Sequence, residues 1–238
     1  MKNKKKLLVL LLLLLLASAT VVTTAFAKYS DSKSGSHSAQ VAKWGVKFTA
    51  GTGTFKDTYN GSGDESVKAT ASTTYKLVAP GTTGTLDLIK VEGTPEVALN
   101  AGVTGTVSLT GWTVTEAKSG GSAGETATVF YCPVKFIIGS TTVDGTSATY
   151  HNQTSDAATN QAAMETAIAN AISKTAADYP ALTNLKTTMT LPESITWEWA
   201  FTGNDALDTQ LGSAETAPSI TITQTATATQ LDTYATGS

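Results

Sequence analysis

Ile195-Thr196-Trp197-Glu198-Trp199-Ala200-Phe201 carries four large apolar side chains on alternate positions, with Thr196, Glu198 and Ala200 between them. Successive side chains of a β-strand point to opposite faces, so this run predicts a strand with one buried face, the most apolar in the chain. The same two-residue period returns twice. Ile220, Ile222, Ala226 and Ala228 alternate with Thr221, Thr223, Thr225, Thr227 and Thr229, and Ala42, Trp44, Val46 and Phe48 alternate with Lys43, Gly45 and Lys47. Strands that are dry on one side and wet on the other belong to antiparallel sheets.

Shorter strand runs lie between these. Residues 67–78 end at the turn signal Ala79-Pro80-Gly81, and 85–91, 96–99 and 104–114 follow, with breaks at Gly102, Gly105 and Gly111. Residues 126–138 are the longest apolar run, in which Pro133 predicts an edge or a bulge. Gly139-Ser140 reads as a two-residue hairpin turn leading into short strands at 141–143 and 147–151. Residues 51–64 and 203–212 are rich in Gly, Asn and Asp and read as loops. One stretch breaks the pattern. Residues 155–178 are Ala-rich, Met164, Ile168 and Ile172 recur every four residues, Asp156 stands where it complements a helix dipole, and Pro180 follows. The expected fold is mainly β, an antiparallel sandwich of jelly-roll or immunoglobulin-like type with one inserted α-helix at about 155–178.

Composition agrees with exposed, pleated sheet: Thr makes up nearly a fifth of the chain and only 15% is charged. There is no arginine, and the net charge is −3. Nucleic-acid recognition leans on Arg for bidentate contacts, and anionic membrane surfaces attract basic chains, so neither is an expected partner. Cys132 is the only cysteine and cannot form an internal disulfide. It lies in the apolar run 129–134 and reads as a buried, inert thiol.

The N-terminus reads as a secretory leader. Lys2, Lys4, Lys5 and Lys6 precede an apolar run from Leu7 to Leu16, and small residues end at Ala25-Phe26-Ala27. That is the basic, apolar and A-x-A layout of a signal peptide, with cleavage expected between Ala27 and Lys28 and a second candidate site at Ala17-Ser18-Ala19. The strongly apolar part is shorter than the roughly 20 residues that span a bilayer. The expected organisation is a signal peptide at 1–27, a flexible arm at 28–41 and a single β-sandwich domain at 42–238, exported and free of the membrane after cleavage.

Catalytic chemistry finds little support. His37 and His151 are the only histidines, and neither H-E-x-x-H nor G-x-S-x-G occurs. No catalytic residues and no cofactor site are assigned, and the protein is read as non-enzymatic. Asn204, Asp205, Asp208 and Thr209 offer oxygen ligands in a Gly-bounded loop, and Ca²⁺ takes six to eight oxygens, so these four form a candidate Ca²⁺ site.

Three stretches carry a resemblance. The junction Phe26-Ala27-Lys28-Tyr29-Ser30-Asp31 resembles the SipW-dependent signal peptides of Gram-positive secreted proteins, with Tyr29 and Asp31 at the matching aromatic and acidic positions. Trp197 to Asp205, with Asp208 to Gly212, looks like a run found in that group, and Ala79-Pro80-Gly81-Thr82 stands where such proteins carry a Pro-Gly turn. The group is the TasA/camelysin-like biofilm matrix family. The resemblance implies a jelly-roll sandwich and fibres in which the N-terminal segment of one subunit completes the sheet of the next. Lys28, charged and directly after the scissile bond, departs from the pattern, as does the lack of a metal motif.

The functional expectation is a secreted matrix or surface protein of a Gram-positive bacterium, a fibre subunit that associates with itself or with other matrix proteins. Ala42, Trp44, Val46 and Phe48 are the candidate strand-donor face, and the same strand can equally pair within its own subunit. The alternatives are a monomeric surface adhesion or binding module with Ca²⁺ at the 203–212 loop, and a camelysin-like metallopeptidase.

Overall fold

The run around Trp197 forms an interior strand of the larger sheet. In the computed structural model, which describes residues 40–53, 55–56, 58–60, 68–70, 76–201 and 203–232, β12 (Ser194–Trp199) lies between β9 (Lys135–Ile138) and β4 (Thr82–Asp87). β10 (Thr141–Asp144) completes the order β10-β9-β12-β4, all antiparallel. Ile195, Trp197 and Trp199 are buried on one face beside Phe136, Ile138 and Val143. On the other face Glu198 pairs with Lys135 across the strands. Trp197 stands opposite Gly84, where a Cβ would lie 2.9 Å from the indole nitrogen. The missing side chain leaves room for the ring.

A second sheet has the order β11-β6-β13. β6 (Leu99–Thr110) and β13 (Ser219–Gln230) pair without a break from Leu99↔Gln230 to Thr110↔Ser219. Leu99, Ala101, Val103 and Leu109 are buried on one face, and Thr and Ser side chains cover the other. Gly102 and Gly105 do not interrupt β6. A Cβ on Gly102 would lie 2.7 Å from the Ala176 backbone, and one on Gly105 would overlap Ile172. These glycines allow close approach of neighbouring elements rather than a turn, and only Gly111, at φ 80°, ends the strand.

α1 (Ala157–Ala171) packs against this sheet and presents Met164 and Ile168, with Ile172 at its C-cap, to the main core. Asp156 caps it by accepting a 2.7 Å hydrogen bond from the Thr159 amide. The helix is shorter than the sequence predicts. Ser173 turns back to bond the Ala169 carbonyl and accepts from the Gly105 amide. Residues Lys174–Tyr179 then form β11 and pair with β6. Pro180 therefore ends a strand, not the helix.

The long 126–138 run is two strands. β8 (Thr126–Phe130) pairs with β7 (Thr113–Ala117) as a hairpin, and β9 joins the four-stranded sheet after an interruption that contains Pro133. The Gly139-Ser140 turn joins β9 and β10 as expected, with Ile138 opposite Thr141. No strand forms at 147–151, where hydrogen bonds from Tyr150 and His151 back to Ser147 close turns. Phe201 lies beyond the end of β12 and is 66% exposed. β2 (Thr58–Asn60) and β3 (Lys68–Thr70) form a short pair within stretches read as loop and strand pieces. Ala25, Ala27 and Lys28 lie outside the described residues. Among the described residues, no helix is long and apolar enough to cross a membrane.

Candidate functional site

The N-terminal segment is laid along an edge. β1 (Lys47–Thr49) pairs antiparallel with β5 (Lys90–Glu92), with Phe48 opposite Val91. The pairing continues beyond the short strand in the same register. Lys43 and Glu96 exchange a backbone bond of 3.0 Å and a bond of 2.8 Å from the Lys43 amide to the Glu96 carboxylate. At the other end the Asp87 amide donates to the Thr52 carbonyl at 2.8 Å, and Thr52 Oγ1 donates to the Asp87 carboxylate at 2.6 Å.

Three glycines make this contact close. A Cβ on Gly93 would overlap the Gly45 carbonyl oxygen, and one on Gly51 would overlap the Asp87 carbonyl. Gly45 and Gly93 both have positive φ, 61° and 116°. Gly45 lies inside the 42–48 alternation, and a lone glycine inside a strand pattern is the signal that marks such an approach. Gly93 and Glu96 carry no comparable signal.

The predicted donor face is only partly covered. Val46 packs beside the smaller core of Val91, Leu99, Val103, Leu185 and Met189. Trp44 and Phe48 remain 40% and 42% exposed, and Ala42 is exposed. Within the single chain the strand pairs with its own subunit.

A groove of about 1230 Å³ opens between β4 and β13. Phe55, Leu86, Trp112, Trp199, Ile220 and Ile222 line it, and Trp112 meets Trp199 edge-on at 5.8 Å. Gln224 bridges the gap, accepting from the Ile89 amide and donating to the Ile172 carbonyl, both at 2.8 Å.

The expected oxygen-rich loop is a helix. α2 (Asp205–Gly212) starts after Asn204 and spreads the four candidate Ca²⁺ ligands along its first turns. Thr209 Oγ1 is spent on the Asp205 carbonyl, and the Asp208 carboxylate accepts from the Tyr131 hydroxyl at 2.8 Å. Burial raises the Asp208 carboxyl above its usual range; the hydrogen bond from the Tyr131 hydroxyl works against that rise, and the charge of Asp205 adds to it. Among the described residues, no three His, Cys, Asp or Glu side chains are grouped to hold a metal ion.

His151 lies 3.2 Å from Glu116 and its ring is 5.2 Å from that of Tyr131. Gln153 completes the cluster, donating to Glu116 at 2.8 Å. Cys132 is fully buried, and burial pushes its thiol up to about 12. A thiol held protonated in this way is no nucleophile at neutral pH.

No protein-family model matches the chain, and neither a curated protein nor a solved structure matches it.

Proposed function

We propose that this protein is a secreted, non-enzymatic structural subunit of a Gram-positive surface or biofilm matrix, and that subunits link by exchanging their N-terminal arms. On this reading the leader is removed after Ala27, and the two principal sheets are the layers of a jelly-roll sandwich. The observation that carries the proposal is the arm itself. It holds one antiparallel register from Lys43↔Glu96 to Thr52↔Asp87, yet leaves Trp44 and Phe48 two-fifths exposed. An edge strand joined to its subunit at one end can form the same hydrogen bonds on a neighbour, because the acceptor surface is identical in every copy. Repeated head to tail, that exchange does not close and yields a fibre. The peptidase alternative gains no support from the side-chain groupings described above.

Locking the arm at home tests this. In a Phe48→Cys/Val91→Cys variant, oxidation of the dilute monomer would bridge the two register partners within one chain. The oxidised chain is expected to form no open-ended polymer by sedimentation and no fibres by electron microscopy, and the reduced chain to form fibres. A chain without residues 28–48 is expected to form no fibres in either state. Failure of the leader-free wild-type protein to polymerise would overturn the proposal, as would fibres from the locked monomer.

A further inference from the structure

We propose that the outer edge of β13 pairs with the same edge of a second copy, as an antiparallel strand pair across a two-fold axis. The two edges of the β11-β6-β13 sheet are built differently. β11 shifts register between Lys174 and Ala177 and carries Lys174 and Asp178. Bulges and charges are the devices that keep an edge strand from pairing with another chain. β13 has neither. Its twelve residues hold one unbroken register with β6 and include no charge, no proline and no glycine. Among the described residues, no strand lies on its outer side.

The side chains of β13 point to the same conclusion. On β6, Leu99, Ala101, Val103 and Leu109 are buried, whereas Ile220, Ile222, Ala226 and Ala228 on the same face of β13 stay half-exposed. A strand added along the edge would cover them.

The sequence of β13 selects a copy of itself for that place. Thr occupies every odd position from Thr221 to Thr229, and Ile or Ala fill the even ones apart from Gln224 and Gln230. An antiparallel two-fold pairing centred on Gln224 sets Thr221 opposite Thr227, Thr223 opposite Thr225, and Ile222 opposite Ala226. Hydroxyl meets hydroxyl on one face and aliphatic meets aliphatic on the other. This is the chemistry that β13 already accepts from β6, where Thr104 and Thr106 oppose Thr225 and Thr223. With no charge along the strand, two copies meet without repulsion at any register position. The pairing uses neither β1 nor β5, so it stands or falls independently of arm exchange.

The test is sedimentation of the chain from Lys28 onward, with substitutions at exposed Thr223 and Thr225. The wild-type protein is expected to form a concentration-dependent dimer beyond any arm-linked polymer. Thr223→Lys/Thr225→Lys places like charges across the axis and is expected to weaken that dimer by roughly tenfold or more. Thr223→Glu/Thr225→Glu is expected to do the same, and an equal mixture of the two variants to restore it. Circular dichroism checks that each variant keeps its sheet content. The proposal is overturned if the arm-locked chain is monomeric up to about 100 µM. It is equally overturned if the Lys variant dimerises like the wild type, or if the Lys and Glu variants fail to recombine.

Discussion

Gly93 faces Gly45 so closely that a methyl group in the Cβ position of Gly93 would overlap the Gly45 carbonyl oxygen. The contact joins the arm to β5 at a point where both residues have positive φ. The arm is thus seated by backbone fit as much as by side chains, and two bare backbones are what a reversible edge contact requires.

Gly93→Ala should unseat the arm without unfolding the rest. The new methyl clashes with backbone, and φ 116° is unfavourable for Ala. Strain of about 1–3 kcal/mol at such a position corresponds to roughly five- to 150-fold in the population of the open arm. Limited proteolysis between Ala42 and Thr52 should accelerate by that factor, since cleavage follows the open population. The melting temperature of the remainder should move little. Unchanged proteolysis would show that the backbone gives way at no cost.

Gly84→Ala tests the core instead. Its methyl would lie 2.9–3.0 Å from the Trp197 indole, which is 1% exposed and packed in the main core. Overpacking of this kind costs about 1–3 kcal/mol. Urea denaturation should show a lower midpoint with an unchanged slope, and a midpoint at the wild-type value would mean the ring can tilt freely.

Alternation was the legible part of this chain. Trp197 and the Thr-Ile-Ala run of β13 have a period that only a two-faced strand satisfies, and both are strands. The glycines were not legible. Gly102 and Gly105 look like strand breakers until the partner is known, and then they are the places where Ala176 and Ile172 come close. The helix end was misread for a related reason. Ala-rich sequence continues past Ile172, but pairing with β6 outweighs the helical propensity of residues 174–179. The 203–212 stretch reads as a loop because Asn, Asp and Gly favour turns, and its Leu207 and Leu211 are too few to announce a helix. Gly45 gives a local sign of close approach, but neither its partner Gly93 nor the edge of β13 left open among the described residues is written in any local motif, because both depend on strand order.

Two carboxylates should shape acid stability in opposite senses. Backbone and hydroxyl bonds from Thr159 lower the Asp156 carboxyl below its usual value of 3.8, so its contribution is present above that value and lost as pH falls through the lowered one. Burial raises Asp208 above 3.8, so ionising it costs the folded state, and stability declines as pH rises from that value through the raised one. Asp208→Asn keeps an acceptor for the Tyr131 hydroxyl and should abolish the second slope. Asp156→Ala should abolish the first. Urea titrations between pH 2.5 and about 7 check both, and a wild-type profile in Asp208→Asn would remove Asp208 as the source.

Cys132 supplies a probe for the whole core. Its thiol is 0% exposed and pushed up to about 12, with the Val134 amide opposing that rise. At pH 8 on the order of one thiol in ten thousand is ionised, and that one is out of reach of reagent. A thiol reagent should therefore label the folded protein only through opening of the core, at a rate that climbs with urea in step with unfolding. Cys132→Ala should leave the fold intact at a cost of about 1 kcal/mol, whereas Cys132→Ser buries a hydroxyl in an apolar cluster and should cost about 1–3 kcal/mol. Gly93→Ala should not speed labelling, because the arm packs on the smaller core and Cys132 belongs to the larger one. Rapid labelling in that variant would mean that release of the arm loosens the body of the subunit, and with it the rigid edge that β13 presents.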